Sequence, residues 1–185
     1  MKQMKNTLAA LLVLAVLAAG FAWLAQDDRV SKPMHTNGDV VGPDLHESAQ
    51  DYQARTQETL DQAPADEPGY ALIAFRQPMD AEAAGKTLES LKRVNAIVPA
   101  NAAPIPLPEP TEGVSRGQVL EREWARVGLE PPAQIEALMV YDTGDALRAL
   151  ATSPDVFSIE VLAPDAAWGR FGIRPPARAG LPSVP

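Results

Sequence analysis

The stretch Tyr70-Ala71-Leu72-Ile73-Ala74-Phe75 decides the fold, because its pattern comes back later as Ala137-Leu138-Met139-Val140-Tyr141. Each run is short and apolar, of strand length rather than helix length. Asp80 can cap a helix running to about Leu91, with Ala84, Leu88 and Leu91 on one face at i, i+4 and i+7. Lys92 and Arg93 complement its carboxyl end, and Val94 to Val98 forms a second strand that Pro99 ends. The same order then repeats. Ile135 to Tyr141 is a strand, and Asp142 or Thr143 caps a helix burying Ala146, Leu147 and Leu150. Val156 to Leu162 closes the series, with Phe157, Ile159 and Val161 on one face and Ser158 and Glu160 on the other.

Tyr70–Val98 and Ile135–Leu162 are therefore two β-α-β units of a diverged repeat. Two right-handed split units pair most simply as an α+β, ferredoxin-like sandwich, four antiparallel strands with the helices on one face. The predicted ectodomain is 68–174, with an insert over 100–134 between the units. The insert opens Pro104-Ile105-Pro106-Leu107-Pro108-Glu109-Pro110, and proline at every second residue favours a stiff, extended segment. Ser115 and Gln118 offer a capping box for a helix to about Val127, with Val119, Leu120, Trp124 and Val127 as its apolar members and Gly128 as its stop. This helix is expected to cover the open face of the sheet, and the alternative is that Trp124 is offered to a partner. Past the last strand, Ala167 to Arg174 adds an edge strand or lies extended, and 175–185 reads as a disordered tail. Trp168, Arg170 and Phe171 join Trp124 as possible partner contacts.

Ahead of the repeat, Leu8 to Ala25 holds no charge. As a helix it would be ~27 Å long, close to the ~30 Å hydrocarbon layer of a bilayer. Leu8, Leu11, Leu12, Leu14, Leu17 and Leu24 supply the apolar surface, and Phe21 and Trp23 stand near the exit end. Lys2 and Lys5 precede the run, so the positive-inside bias keeps residues 1–7 in the cytoplasm and sends the rest across. A single-pass signal anchor over 8–25 fits its length. A cleaved signal peptide is the competing reading, with passable small-x-small sites at Ala18-Ala19-Gly20 and Gly20-Phe21-Ala22. Either way residues 26–185 are extracytoplasmic, in the cell membrane's keeping or secreted. Residues 26–67 read as a spacer with a linker helix at about 44–62, Asp44 being its cap and Glu47 the partner in a capping box. That helix is either resting on the domain or a stalk.

Composition narrows the chemistry. The chain has 185 residues, net charge −8, eighteen prolines and no cysteine. The acidic balance argues against nucleic acid, and the missing thiols exclude disulfides, thiolate metal sites and a cysteine nucleophile. His35 and His46 are the only histidines, with no acidic cluster at ligand spacing, so no metal or cofactor is expected. Gly113-Val114-Ser115-Arg116-Gly117 matches the nucleophile-elbow pattern of hydrolases. That motif needs a core strand before the serine and a histidine after it. Here Pro-Glu-Pro-Thr-Glu comes before and no histidine follows, so Ser115 reads as a helix cap and the chain as no enzyme.

Two resemblances add to this. Ala146 to Leu162, with Leu-x-x-Leu in a helix and a Pro154-Asp155-Val156 turn, resembles the closing unit of subtilisin-type protease propeptides and their stand-alone inhibitor relatives. The resemblance implies a ferredoxin-like fold, and in that family the segment after the last strand enters the protease cleft. Separately, Asp51-Tyr52-x-Ala54-Arg55, Ala71-Leu72-Ile73, Ala146 to Ala151 and Trp168-Gly169-Arg170-Phe171 resemble uncharacterised single-pass membrane proteins of actinobacteria, which brings no activity with it. The expectation is a non-catalytic, membrane-anchored domain that binds a protein or an envelope component. The alternative is a propeptide-like inhibitor or folding helper of a subtilisin-type protease.

Overall fold

The computed structural model describes residues 39–176. By its contacts the chain divides into 1–37 and 38–185, and every described residue belongs to the second unit. The span expected over Leu8–Ala25 and the tail beyond 176 lie outside the described residues. No described helix is long and apolar enough to cross a membrane.

The elements run β1 (Val40–Val41), α1 (Ala49–Gln62), β2 (Pro68–Met79), α2 (Ala81–Thr87), β3 (Arg93–Ile97), β4 (Ile105–Pro106), α3 (Arg116–Arg126), β5 (Ile135–Thr143), α4 (Gly144–Ala151), β6 (Val156–Val161) and β7 (Gly172–Ile173). Five strands form an antiparallel sheet in the order β4-β3-β5-β2-β6. The four strands read from the repeat are its consecutive members β3, β5, β2 and β6. The strands of each repeat unit are kept apart by one strand of the other: β5 lies between β2 and β3, and β2 between β5 and β6.

The fifth strand, β4, comes from the proline run and corrects the expected count of four. Leu107 N–H donates to the Asn95 carbonyl at 2.8 Å, so the odd positions of the run face β3. By strand alternation Pro104, Pro106 and Pro108 then turn their donor-less nitrogens to the outer edge, the one place where a sheet tolerates proline. The opposite edge is also closed. Thr59 accepts from Val161 N–H at 3.0 Å and Gln53 donates to the Phe157 carbonyl at 3.2 Å, so α1 side chains satisfy the outward backbone of β6.

That contact settles the linker helix: it is docked and is no stalk. Its start also differs from the reading. His46 takes a left-handed backbone (φ 73°), which stops a helix from beginning at Asp44. Asp44 and Glu47 instead make a turn, and Ser48 caps α1 by accepting from Asp51 N–H at 3.1 Å. Arg148 of α4 reaches the far end of α1 and donates to the Leu60 and Ala63 carbonyls, groups a helix leaves orphaned there. The helix expected to reach Leu91 is shorter, since α2 ends at Thr87, yet Leu88 and Leu91 are buried as expected.

Alternation along the strands divides the core in two. Ile73, Ile97, Leu138, Val140 and Ile159 join Leu60, Leu88, Leu120 and Leu147, so all four helices feed one cluster. The insert helix α3 is among them, packed on α2 rather than over the open face. The reason lies in two glycines. A Cβ on Gly117 would sit 2.9 Å from Ala81 carbonyl oxygen and from Glu82 Cα, and one on Gly85 would run into the backbone of Gly117. The helices approach this closely only because neither residue has a side chain.

The second face carries Leu72, Ala96, Ala137 and Met139 and is closed by the two ends of the described chain: Val41 on one side, Phe171 and Ile173 on the other. β7 is not an edge strand of the sheet. It pairs in parallel with β1, Val40 opposite Gly172 and Val41 opposite Ile173.

Candidate interaction surface

Register brings two half-buried tyrosines together. Tyr70 at the start of β2 lies opposite Tyr141 near the end of β5, and Tyr141 lies opposite Arg93 on β3. Residues directly opposite share a face, so three neighbouring strands bring Tyr70, Tyr141 and Arg93 side by side. The Tyr70 and Tyr141 rings stand 4.7 Å apart. A turn closed by Arg170 N–H on the Ala167 carbonyl then drops Trp168 beside Tyr70 at 5.7 Å, with Phe171 5.5 Å from Tyr70 and 6.0 Å from Trp168. Gly169 allows that turn by taking φ +79°. Trp168 is 41% exposed, the two tyrosines are half-buried, and Phe171 is buried beneath them.

Of the four residues read as possible partner contacts, Trp168, Arg170 and Phe171 share one turn, but only the first two are exposed. Phe171 is corrected from contact to core, since it fills the second face under the tyrosine pair. Trp124 is corrected likewise. It is buried on the helical face, and its indole N–H donates to the Glu130 carbonyl at 2.9 Å, leaving nothing to offer a partner. Tyr70 and Tyr141 were missed. The signal was present, as an aromatic residue flanks each of the two central apolar runs.

A second constellation holds the ends of this face together. Glu160 is 5% exposed on edge strand β6, opposite Leu72, and so on the second face. The alternation expected for this strand grouped Glu160 with Ser158 on one face, and there α1 and the β1 segment cover the carboxylate. The Glu160 carboxylate accepts from Gly42 N–H at 2.7 Å, Tyr52 hydroxyl at 3.1 Å and Arg55 at 2.6 Å. Arg55 also donates to both Glu47 carboxylate oxygens at 2.9 Å and lies over the Tyr52 ring. Hydrogen bonding from Arg55 holds Glu47 below the usual carboxylate range, and the bond to Glu47 pushes Arg55 above its ordinary value. Burial, with the charge of Glu160 beside it, pushes the Tyr52 phenol up, so it remains a hydrogen-bond donor. Gly42 is obligatory here: its φ is +105°, and a Cβ would collide with the Arg174 carbonyl.

A cleft of about 850 Å³ lies between α2 and α3 and is lined by Asp80, Glu82, Lys86, Glu89, Arg116 and Glu121. Ser115 stands at its rim with both halves of a capping box made: its hydroxyl accepts from Gln118 N–H, and Gln118 accepts from Ser115 N–H at 2.8 Å. The serine of the hydrolase-like pattern is thus a helix cap, and the second glycine of that pattern, Gly117, is the helix crossing. Elsewhere, hydrogen bonds from Arg126 and then Arg122 lower Glu123, and burial raises Glu136. Among the described residues no group of three His, Cys, Asp or Glu is placed to hold a metal ion. His46 is exposed in its turn, and His35 lies outside the described residues.

No family model, no curated protein and no solved structure matches this chain.

Proposed function

We propose that the chain is a non-catalytic domain, ferredoxin-like in its β6-β2-β5-β3 core, anchored in a membrane by residues 8–25 and displayed on the extracytoplasmic side. Its work is binding at the envelope, and its contact surface is the Tyr70–Tyr141–Trp168 platform. The observation that carries the reading is that platform: a tryptophan 41% exposed, held by ring contacts on a sheet face whose remaining apolar residues are covered. A large ring is held in place at the surface, which is how contact surfaces retain aromatic anchors. The charges before and after the apolar run support the orientation.

Protease added to intact spheroplasts tests the placement. The domain is expected to be digested while a fragment stays in the carbonate-washed membrane. A domain that stays protected until the membrane is opened overturns it.

The inhibitor reading draws support from the same strand order, since the propeptide resemblance implies that fold. It requires residues 163–176 to leave the sheet, where Phe171 is buried, before they enter a protease cleft. A subtilisin-type protease that keeps full activity beside an equimolar amount of the chain removes it.

A further inference from the structure

We propose that the Tyr70–Tyr141–Trp168 face rests on the headgroup layer of the membrane that holds the chain, a reading that rests on the anchored-domain proposal above. Three observations lead there. The first is where the chain enters the domain. The Asp39 carbonyl accepts from Gly172 N–H at 3.0 Å, next to Phe171, so the polypeptide arrives at the aromatic face rather than at the helical one. Between the apolar run and Asp39 lie only residues 26–38, a reach of at most ~45 Å even fully extended.

The second is chemistry. Trp and Tyr rings with polar tips are the side chains that favour the boundary between hydrocarbon and water. Two arginines on this side are engaged within the fold, Arg93 with Glu109 and Arg174 with Asp44, and Arg170 of the Trp168 turn is not without a contact of its own. With a net charge of −8 as well, the surface suits a zwitterionic layer rather than an anionic patch.

The third is size. Trp168 is the only ring of the cluster more than a third exposed, far short of the ~800 Å² per partner that a stable protein complex buries. A tethered surface needs no such area. The anchor already removes the cost of bringing domain and membrane together, and effective concentrations at short linkers are on the order of millimolar. A shallow aromatic contact is then populated.

The absence of cysteine makes the test clean, because a single introduced thiol carries the only label. The full chain, reconstituted in phosphatidylcholine vesicles with brominated acyl chains, is labelled with an environment-sensitive fluorophore at Ala167→Cys or at Lys86→Cys. Ala167 is exposed beside the platform, and Lys86 is exposed on α2, across the sheet. Quenching at 167 is expected to exceed that at 86 by about twofold or more, and Trp168→Ala in the 167-labelled chain is expected to abolish the difference. Equal quenching at both positions, or none at 167 while the chain stays in the vesicles, overturns the proposal and leaves the anchor standing. A label at 167 that is shielded only when envelope proteins are added overturns it in favour of a protein partner. A chain that does not remain with the vesicles overturns the anchor, and this proposal with it.

Discussion

The two faces of the sheet are built on different plans. The helical face is closed by elements contiguous with their own strands, through ordinary apolar packing at i, i+3 and i+4. The opposite face is closed by segments from the two ends of the described chain, more than 120 residues apart, held by a two-residue parallel ladder and one buried carboxylate. A face closed by packing resists single losses according to the volume removed. A face closed by a few directional bonds depends on each of them. The exposed aromatic platform sits on the second kind.

The largest expected effect falls on the packed face. Leu138 is fully buried on the central strand β5, and Leu138→Ala is expected to cost about 3 kcal/mol, read as a lower urea midpoint for the whole domain. A loss under about 1 kcal/mol would mean that the face collapses around the cavity and that the contrast is weaker than drawn.

Next comes Gly42→Ala. A side chain at φ +105° facing the Arg174 carbonyl is expected to cost about 2 kcal/mol and to free β1 and β7 without loosening β5. Hydrogen exchange resolves this: faster exchange confined to 39–47 and 170–174 supports the division, and uniform acceleration breaks it.

Glu160→Gln keeps an acceptor for Gly42 and Tyr52 but removes the charge facing Arg55. Arg55 is about a third exposed and retains Glu47, so the expected loss is about 1 kcal/mol, again local to α1 and β1. Acid should act in the same place. The folded Glu47 carboxyl titrates below its unfolded value, so its contribution is complete above the ordinary carboxylate range and is lost as pH falls through the depressed value.

The smallest expected effect has the opposite sign. Glu136 is raised by burial and leaves one carboxylate oxygen buried without a partner, so its charged form weakens the fold once pH rises through the raised value. Glu136→Gln is expected to stabilise the domain by roughly 0.5 kcal/mol at neutral pH, with the gain vanishing in acid. Stability unchanged or lower at pH 7 would count against burial as the cause.

What the sequence disclosed follows the same division. The helical face was legible because its signals are local: apolar period, caps at Asp80, Ser115 and Thr143, and a repeat that could be aligned with itself. The second face was not, because nothing local announces that Glu160 meets Arg55 or that Val40 pairs with Gly172; those pairings exist only once the sheet is assembled. Alternation along β6 placed Glu160 on the correct side of the sheet, and what it could not disclose is that two distant segments cover that side. The insert helix was misplaced for a related reason. Gly85 and Gly117 are informative only as a pair, and nothing in either neighbourhood says that they touch. The platform was half legible: Trp168 and Arg170 stood out, while Tyr70 and Tyr141 were absorbed into strands.

The β1–β7 ladder also has a mechanical meaning. Any pull on the chain ahead of Asp39 enters the domain through the Asp39 and Val41 carbonyls, which hold Gly172 and Arg174 N–H, and through Gly42 N–H on Glu160. Tension is thereby divided between β7 and edge strand β6 before it reaches β2, so the central strands are the last to be loaded. The terminal clip therefore stands between the incoming chain and the central strands, and its two backbone bonds and one carboxylate contact are what a load meets first.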